Sequence, residues 1–306
     1  MDDIKKIAVI CGGSSSEREI SLQSGNGIEN ALIKLGYRTS VIDFQDINDL
    51  SILKDYHLVF IALHGFEGEG GNLQEGLDSL GIKYTGSDAT GCKNTWNKAK
   101  CKNILFQNGI STPKAVISSS LDNEDFHPFI EFKNEFGYKK NLFMKPSEDG
   151  SSIDIYKISN NDDYIKARSS CDNKSREFIF EEEIKGKEYT LTIINNECFP
   201  PIEIQTNNDF YDYDAKYISN NTILAEAKLS NEELDLINKI SLKAYKALNC
   251  SGWARVDVLE DEDGNLYVLE VNTVPGMTSH SCVPRSGSFV GLSYSEVVKK
   301  IISSNA

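Results

Sequence analysis

The stretch from Trp253 to Asn272, WARVDVLEDEDGNLYVLEVN, is the part of this sequence that admits the fewest folds. Two runs of alternating apolar and polar residues flank Asp263-Gly264, a strong signal for a β-hairpin with a two-residue turn. With Asp263 and Gly264 as the turn, Glu262 pairs with Asn265. Counting outward sets Asp257 opposite Glu270 and Arg255 opposite Asn272, and all four side chains share one face because strand residues alternate. Like charges facing each other across a ladder destabilise it, so Asp257 and Glu270 call for a cation between them. Three oxygen ligands, Asn272 being the third, favour magnesium or manganese over zinc. The competing readings are solvated residues on an exposed face, or carboxylates neutralised by Arg255; the four-residue arrangement favours the metal. A longer turn would change the register.

The rest of the chain alternates strands with helices. Ile7 to Cys11 reads as a buried strand, a helix through Ile28, Ala31, Leu32 and Leu35 stops at Gly36, and Leu58 to Leu63 is a further apolar strand. Strands separated by helices predict a parallel sheet with helices on both faces and ligands beyond the carboxyl ends of the strands. From about Thr95 to Glu181 a helical stretch through Ala99, Ile104 and Leu105 precedes Thr112-Pro113 and a strand over Asn141 to Lys145, a second and smaller unit. Beyond it, Phe178-Ile179-Phe180 and Tyr189 to Ile194 read as strands. Ser230 to Leu248 is a helix opened by a Ser230/Glu233 capping box.

At 306 residues, with 40% hydrophobic and 25% charged residues, the chain is long enough for two or three domains and is not disordered, collagenous or coiled coil. The 46 acidic against 32 basic residues give a net charge of −14, which opposes non-specific binding to nucleic acid or an anionic membrane. The seven cysteines form no CxxC, so neither a zinc knuckle nor a disulfide framework is indicated, and they read as reduced, mostly buried thiols. No apolar run of about 18 residues offers a membrane span. The first residues do not look like a signal peptide, and a cytoplasmic location is the default expectation.

Lys145-Pro-Ser-Glu-Asp-Gly150-Ser151-Ser152 places a lysine at a strand end before a hydroxyl-rich loop that can offer backbone N–H groups to phosphate, although it is not a Walker A motif and is weak by itself. No GxGxxG follows the first strand. The glycine-rich run His64 to Gly71 reads equally as a ligand wrap or a mobile surface loop. Phe210 to Tyr217, aromatic and acidic with one lysine, reads as core packing or a lid.

Taken together, these segments resemble D-alanine:D-alanine ligases of the ATP-grasp superfamily over essentially the whole chain. The motifs that carry the resemblance recur in order: Gly12-Gly13 to Ser21 with Glu17, Ala62-Leu-His64-Gly65, Tyr84-Thr-Gly-Ser87, Lys145-Pro-Ser, Gly150-Ser-Ser152, Phe210 to Tyr217, Arg255-Val-Asp257, and Glu270-Val-Asn272 through Gly276 to Ser281. The resemblance implies an α/β ATP-grasp architecture. Residues 1–94 would form an N-terminal parallel α/β domain with the first D-alanine site. Residues 95–181 and 182–306 would form two α+β subdomains that sandwich ATP, the latter with the metal and second-substrate sites.

The chemistry it implies is activation of one D-alanine carboxylate by the γ-phosphoryl of ATP, followed by attack of a second D-alanine's amine, in peptidoglycan precursor synthesis. By the same resemblance Lys98 and Lys145 hold the α and β phosphates, Lys216 reaches the γ-phosphate, and Asp257, Glu270 and Asn272 bind two Mg2+ or Mn2+ ions. Adenine lies against Glu181, Glu182 and Ile184, with Glu188 on the ribose. Glu17 binds the first ammonium with His64 nearby, Arg255 and the Gly276 N–H stabilise an oxyanion, Ser281 takes the second carboxylate, and Ser151 with Tyr217 links a lid to Glu17. A homodimer is expected. Tyr217 favours an amine over a D-lactate nucleophile, and a D-alanine:D-serine ligase and a weakly active or non-catalytic ATP-binding paralogue are the alternatives.

The departures from the family pattern gather around the nucleotide. The common Gly-Ser-Ser-Val-Gly loop ends here in Ile153-Asp154, a carboxylate where phosphates approach, unfavourable unless it points outward. Trp96-Asn97-Lys98 replaces Met-Asp-Lys, and Glu182-Glu183 replaces a lysine and an aromatic residue. Gly70 and Glu75 stand for the common aspartate and glycine, and Cys282, beside the second substrate, for a frequent leucine.

Overall fold

The computed structural model describes residues 5–150, 153–206 and 222–304. The first sheet is parallel, in the order β2-β1-β3, from β1 (Lys6–Cys11), β2 (Arg38–Asp43) and β3 (Leu58–Ile61). Helix α1 (Arg18–Lys34) makes the crossover between β1 and β2, and Gly36 at φ 85° turns the chain into β2. The glycine-rich run after β3 is not a loose loop: Phe66–Glu69 forms one helical turn, α2, whose Gly68 leaves no room for a side chain against the carbonyl of Leu63. Helices α3 (Asn72–Ser79) and α4 (Ala89–Trp96) complete this region.

The second sheet is antiparallel. Its strands β4 (Ala115–Ser118), β5 (Leu142–Pro146), β6 (Tyr156–Ile158) and β7 (Phe178–Glu182) run in the order β4-β7-β5-β6. Helices α5 (Lys98–Gln107), α6 (Pro128–Phe136) and α7 (Asn161–Ser170) belong to the same stretch, and Phe132, Leu142, Met144, Tyr164, Phe178 and Phe180 form its core.

The third sheet has the order β11-β10-β8-β12-β13, with β9 beside β8. Its strands are β8 (Gly186–Ile194), β9 (Glu197–Cys198), β10 (Ile202–Gln205), β11 (Ile223–Glu226), β12 (Trp253–Asp261) and β13 (Leu266–Asn272). Helix α8 (Asn231–Ala247) starts at a complete Ser230/Glu233 capping box and packs Ile237, Ala244 and Tyr245 onto this sheet. The last helices, α9 (Cys282–Phe289) and α10 (Tyr294–Ser303), return to the N-terminal region. Val297, Val298, Ile301 and Ile302 share one core with Ile7, Val9, Ile28 and Leu32, and Trp253 and Met277 join it. Each such side chain contributes about 1.5–3 kcal/mol on burial, enough to fix the first and third sheets against each other.

The hairpin reaches the expected pairing by a different path. The chain reverses over a three-residue loop, with Asp261 N–H donating to Asn265 O and Gly264, at φ 81°, donating its N–H to Asp261 O, both at 3.0 Å. That loop shifts the register by one: Glu260 faces Leu266 and Val258 faces Val268. A bulge at Leu269 then restores it, so Asp257 faces Glu270 and Arg255 faces Asn272. All seven cysteines are free and all but the half-buried Cys198 are buried. No helix among the described residues is long and apolar enough to cross a membrane.

Candidate active site

One cavity lies where the three sheets meet. The N-terminal region lines it with Glu17, His64 and Glu69, the second sheet and its approaches with Lys98, Lys145, Asp149 and Gly150, and the third region with Arg255, Glu270, Asn272, Gly276, Ser281 and Cys282. Residues far apart in sequence are thereby brought to one place. Ser151, Lys216 and Tyr217 lie outside the described residues.

Glu17 precedes α1, and its carboxylate lies against Gly150: a Cβ there would sit 3.0 Å from Glu17 Oε2. His64 follows β3 and is fully enclosed. Its Nδ1–H donates to Val274 O at 2.9 Å, and Nε2 faces Ser24 Oγ at 3.5 Å. Burial drives the imidazole pKa below its ordinary value, against the pull of Glu17, so the ring is neutral at pH 7. Ser24 also accepts from Met277 N–H at 3.0 Å, which ties α1 to the segment carrying Gly276.

Arg255 grips Asp257 through Nε to Oδ1 at 2.9 Å and Nη2 to Oδ2 at 2.8 Å, and Thr190 Oγ1 donates to the same Oδ1 at 2.6 Å. Neutralisation of Asp257 by Arg255 is therefore present in the structure. Burial opposes the charge on Arg255, but Asp257 overcomes it and holds the guanidinium pKa well above its ordinary value. Glu270 and Asn272 line the cavity beside this pair, and Asn272 Oδ1 accepts from Val274 N–H at 3.0 Å. The donor set, two carboxylates and an amide oxygen on one sheet face, fits a hard divalent cation. Among the described residues no cluster of three or more His, Cys, Asp and Glu forms a metal site, so any such site depends on Asn272.

Gly276 and Ser281 are packed together: a Cβ on Gly276 would meet Ser281 Oγ at 2.9 Å. Ser281 Oγ accepts from Thr278 N–H at 3.0 Å, and Cys282, the first residue of α9, packs against Ile202 and Ile204.

On β7 the alternation of side chains separates Glu181 from Glu182. Glu181 is buried in an ion pair with Lys102 and with Lys145, whose Nζ donates to Oε1 at 2.5 Å. The two lysines pull the Glu181 pKa below its ordinary value although burial acts the other way. Glu182 is turned away and accepts from Tyr138 Oη at 2.7 Å and Lys114 N–H at 3.0 Å, so its side chain does not join Glu181. Glu183 pairs with Lys157 at 2.8 Å. Ile184 follows β7, and Glu188 lies on β8 at the residue paired with Leu259. Lys98 donates to Asp149 O at 2.6 Å.

Sequence reasoning missed two buried groups. Lys102, one helical turn after Lys98, is enclosed and also donates to Thr112 Oγ1 and Pro113 O, both at 2.9 Å. Glu69 accepts from Gly65 N–H at 2.9 Å, and burial with the nearby Glu17 charge pushes its carboxyl up to about 8. For Lys102 the signal was its place on the inward face of α5 with Leu105; for Glu69 nothing in a glycine-rich run marked the carboxylate as buried.

A family model described as "D-ala D-ala ligase C-terminus" matches residues 107–303. The D-alanine–D-alanine ligase of Haemophilus ducreyi is 36% identical over 300 residues, 97% of each chain. The crystal structure of the D-alanine–D-alanine ligase of Bacillus anthracis superposes with a TM-score of 0.87 at 37% identity, covering 98% of this chain and 97% of that one. A D-Ala:D-Ser ligase from Enterococcus faecalis gives 0.85 at 29% identity, with 99% and 100% covered. The fold is that of the ATP-grasp ligases, with one parallel and two antiparallel sheets. The chain belongs to the D-alanine–D-alanine ligase family.

Proposed function

We propose that the protein joins two D-alanine molecules to D-alanyl-D-alanine at the expense of ATP, supplying a peptidoglycan precursor in the cytoplasm. The observation that carries this reading is the single cavity that collects Glu17, Lys98, Lys145, Arg255, Gly276 and Ser281 from three regions of the chain. Residues 1–94 hold the first substrate, 95–181 and 182–306 close on the nucleotide, and the working form is the family's homodimer.

The first D-alanine places its ammonium on Glu17 and its carboxylate toward Arg255. A carboxylate oxygen attacks the γ-phosphorus, the bond to the β-bridging oxygen breaks, and ADP leaves an acylphosphate. Lys98 and Lys145 hold the α and β phosphates and Lys216 the γ-phosphate; adenine rests on Glu181, Ile184 and the Glu182 main chain, the ribose on Glu188. Asp257, Glu270 and Asn272 would hold two Mg2+ or Mn2+ ions, which supply charge neutralisation at the transferred phosphoryl group. The second D-alanine, its carboxylate on Ser281 beside Cys282, releases an ammonium proton to water and attacks the acyl carbon through its amine, and the surplus proton on nitrogen passes to water or the departing phosphate as the intermediate collapses. Arg255 and the Gly276 N–H receive the oxyanion, and loss of phosphate leaves the dipeptide. Neutral His64 orients this region through Val274 and Ser24 without adding charge. Ser151 and Tyr217 complete the link to Glu17.

One observation supports a second reading: Cys282, smaller than the leucine common there, lines the cavity, which favours a second substrate bulkier than D-alanine such as D-serine. The test is phosphate release from ATP and magnesium with D-alanine, D-serine, L-alanine or no amino acid, with products identified by mass spectrometry. Release that requires D-alanine and yields its dipeptide supports the ligase. Nucleotide binding without turnover supports the non-catalytic paralogue instead.

A further inference from the structure

Asp154, the carboxylate that departs from the common phosphate-loop pattern, is held by a partner distant in the chain. Asp154 has a left-handed backbone, φ 54°, which glycine takes freely and another residue holds only when its surroundings enforce it. Arg176, two residues before β7, supplies that enforcement. Its Nη2 pairs with Asp154 Oδ2, its Nη1 donates to Asp149 Oδ2 at 2.7 Å, and Tyr156 Oη donates to Asp154 Oδ1 at 3.2 Å. The guanidinium also lies over the Phe178 ring, 5.3 Å from its centroid, so its plane is held by stacking as well as by its fork of donors.

One guanidinium thus grips the chain at Asp149, just before Gly150, and again at Asp154. At the first of these grips the chain meets the rest of the site. Lys98 donates to Asp149 O at 2.6 Å, and Gly150 lies against the Glu17 carboxylate. Glu148, at the same loop's entry, accepts from Asn97 Nδ2 at 3.0 Å, and Asn97 is itself one of the departures. Without Arg176, the Asp149 carboxylate on the cavity wall and the Asp154 carboxylate near it would both be unbalanced, and Asp154 would lose what holds its left-handed backbone.

We infer that Arg176 is a positioning residue for the phosphate loop: it cancels the charge of Asp149 and Asp154 and fixes the loop's two ends so that Lys98 and Lys145 receive a polyphosphate. The inference rests on the reading that this loop receives ATP. It also gives Asp154 and Arg176 the standing of a matched pair, in which the carboxylate is harmful only when the guanidinium is missing.

The test uses the full chain with Arg176→Ala, Arg176→Lys, Asp154→Gly and the double variant Arg176→Ala/Asp154→Gly. ATP saturation is measured at saturating D-alanine, and hydrogen exchange at Asp149, Gly150, Ile153, Asp154 and Ile155 without ligand. Arg176→Ala is expected to raise KM for ATP about tenfold while kcat changes less than about threefold, since ground-state binding is what the residue supports. Arg176→Lys keeps the charge but not the fork and recovers part of the loss. Asp154→Gly stays near the parent, and the double variant recovers part of the loss but not all of it, because Asp154 couples to Arg176 while Asp149 still lacks its guanidinium. Exchange at the loop rises in Arg176→Ala and falls back in the double variant. An unchanged KM in Arg176→Ala, or an equal loss in Arg176→Ala and the double variant, overturns the proposal. Melting temperatures separate general loss of fold from a change confined to ATP. If the parent chain turns over no substrate, the ligase reading fails, and the exchange comparison decides the role of Arg176 by itself.

Discussion

Two acidic clusters face the cleft, and each is balanced in a different way. On the hairpin, Asp257 and Glu270 stand opposite each other, and the counter-charge comes from Arg255, two residues along the same strand. On the phosphate loop, Glu148, Asp149 and Asp154 are answered by Asn97 and Arg176, which lie 51, 27 and 22 residues away in the chain. The hairpin cluster is buried, with side-chain exposures of 7% for Asp257 and 15% for Arg255; Arg176 retains 24% and Asp149 31%. Local balance in a dry site gives strong, nearly obligatory interactions. Balance reaching in from elsewhere at a partly exposed site gives interactions that are weaker.

Breaking the hairpin cluster therefore has the largest expected effect. Asp257→Asn leaves Arg255 buried beside a neutral partner, which should lower unfolding free energy by about 3 kcal/mol in urea titration and abolish ADP production. Glu270→Gln is expected to change stability by less than about 1 kcal/mol, because Arg255 keeps its hydrogen-bonded partner Asp257, yet to reduce turnover by about a hundredfold or more if Glu270 holds the cation as proposed. Full activity in either variant would remove the hairpin from the site.

Next comes the buried carboxylate of Glu181 on β7. Glu181 is shared by Lys102 and Lys145, so Lys102→Met removes one of two cations and leaves the other. A loss of about 2 kcal/mol is expected, smaller than for a pair that loses its only partner. Calorimetry reads it directly, and an unchanged melting temperature would show that Lys145 alone suffices.

The same contrast decides what the sequence discloses. Alternation, an Asp-Gly turn and a capping box are properties of neighbouring residues, so the hairpin, α8 and the parallel β1-β2-β3 unit are legible from composition and period. The Asp257–Glu270 pairing came out correct by cancellation: the turn is one residue longer than the shortest reading, and the bulge at Leu269 takes the residue back. Nothing in the local pattern marks that bulge. Arg176 was invisible for a related reason, since its partners are set by the pairing of β7 with β5. Read along the chain, Asp154 is an unpaired carboxylate in a phosphate loop; read in space, it is half of an ion pair. Cleft residues such as Glu17 and Ser281 were found through their resemblance to family motifs, and no periodicity in the chain would have joined them.

An effect spread over pH concerns Glu69, whose carboxyl is moved from 4.5 to about 8 by burial and by Glu17. Between those values the folded chain holds a proton that the unfolded chain has released. Stability contributed by this group is therefore complete below about pH 4.5 and is lost as pH rises toward 8, by at most about 1.4 kcal/mol per pH unit. Urea midpoints of the ligand-free protein should show a steeper decline over that window than those of Glu69→Gln. Parallel curves would place the proton elsewhere.

The smallest expected change sharpens the comparison most, because it alters charge while keeping geometry. Asn97 caps α5 by accepting from Lys100 N–H at 2.8 Å, and aspartate caps a helix equally well. Asn97→Asp therefore preserves the cap but replaces the amide that donates to Glu148 by a second carboxylate. The site is exposed, so the cost in stability is about 0.5 kcal/mol at low salt and fades as ionic strength approaches that of the cell. KM for ATP should rise about two- to threefold at low salt, by repulsion at the loop entry, and Glu148→Gln in the same chain should reverse it. A salt-independent loss would mean that Asn97 acts through hydrogen-bond geometry. Reversal by Glu148→Gln would show that the substitution at 97 and the carboxylate at 148 are balanced as Asp154 and Arg176 are, by a partner that only the fold brings near.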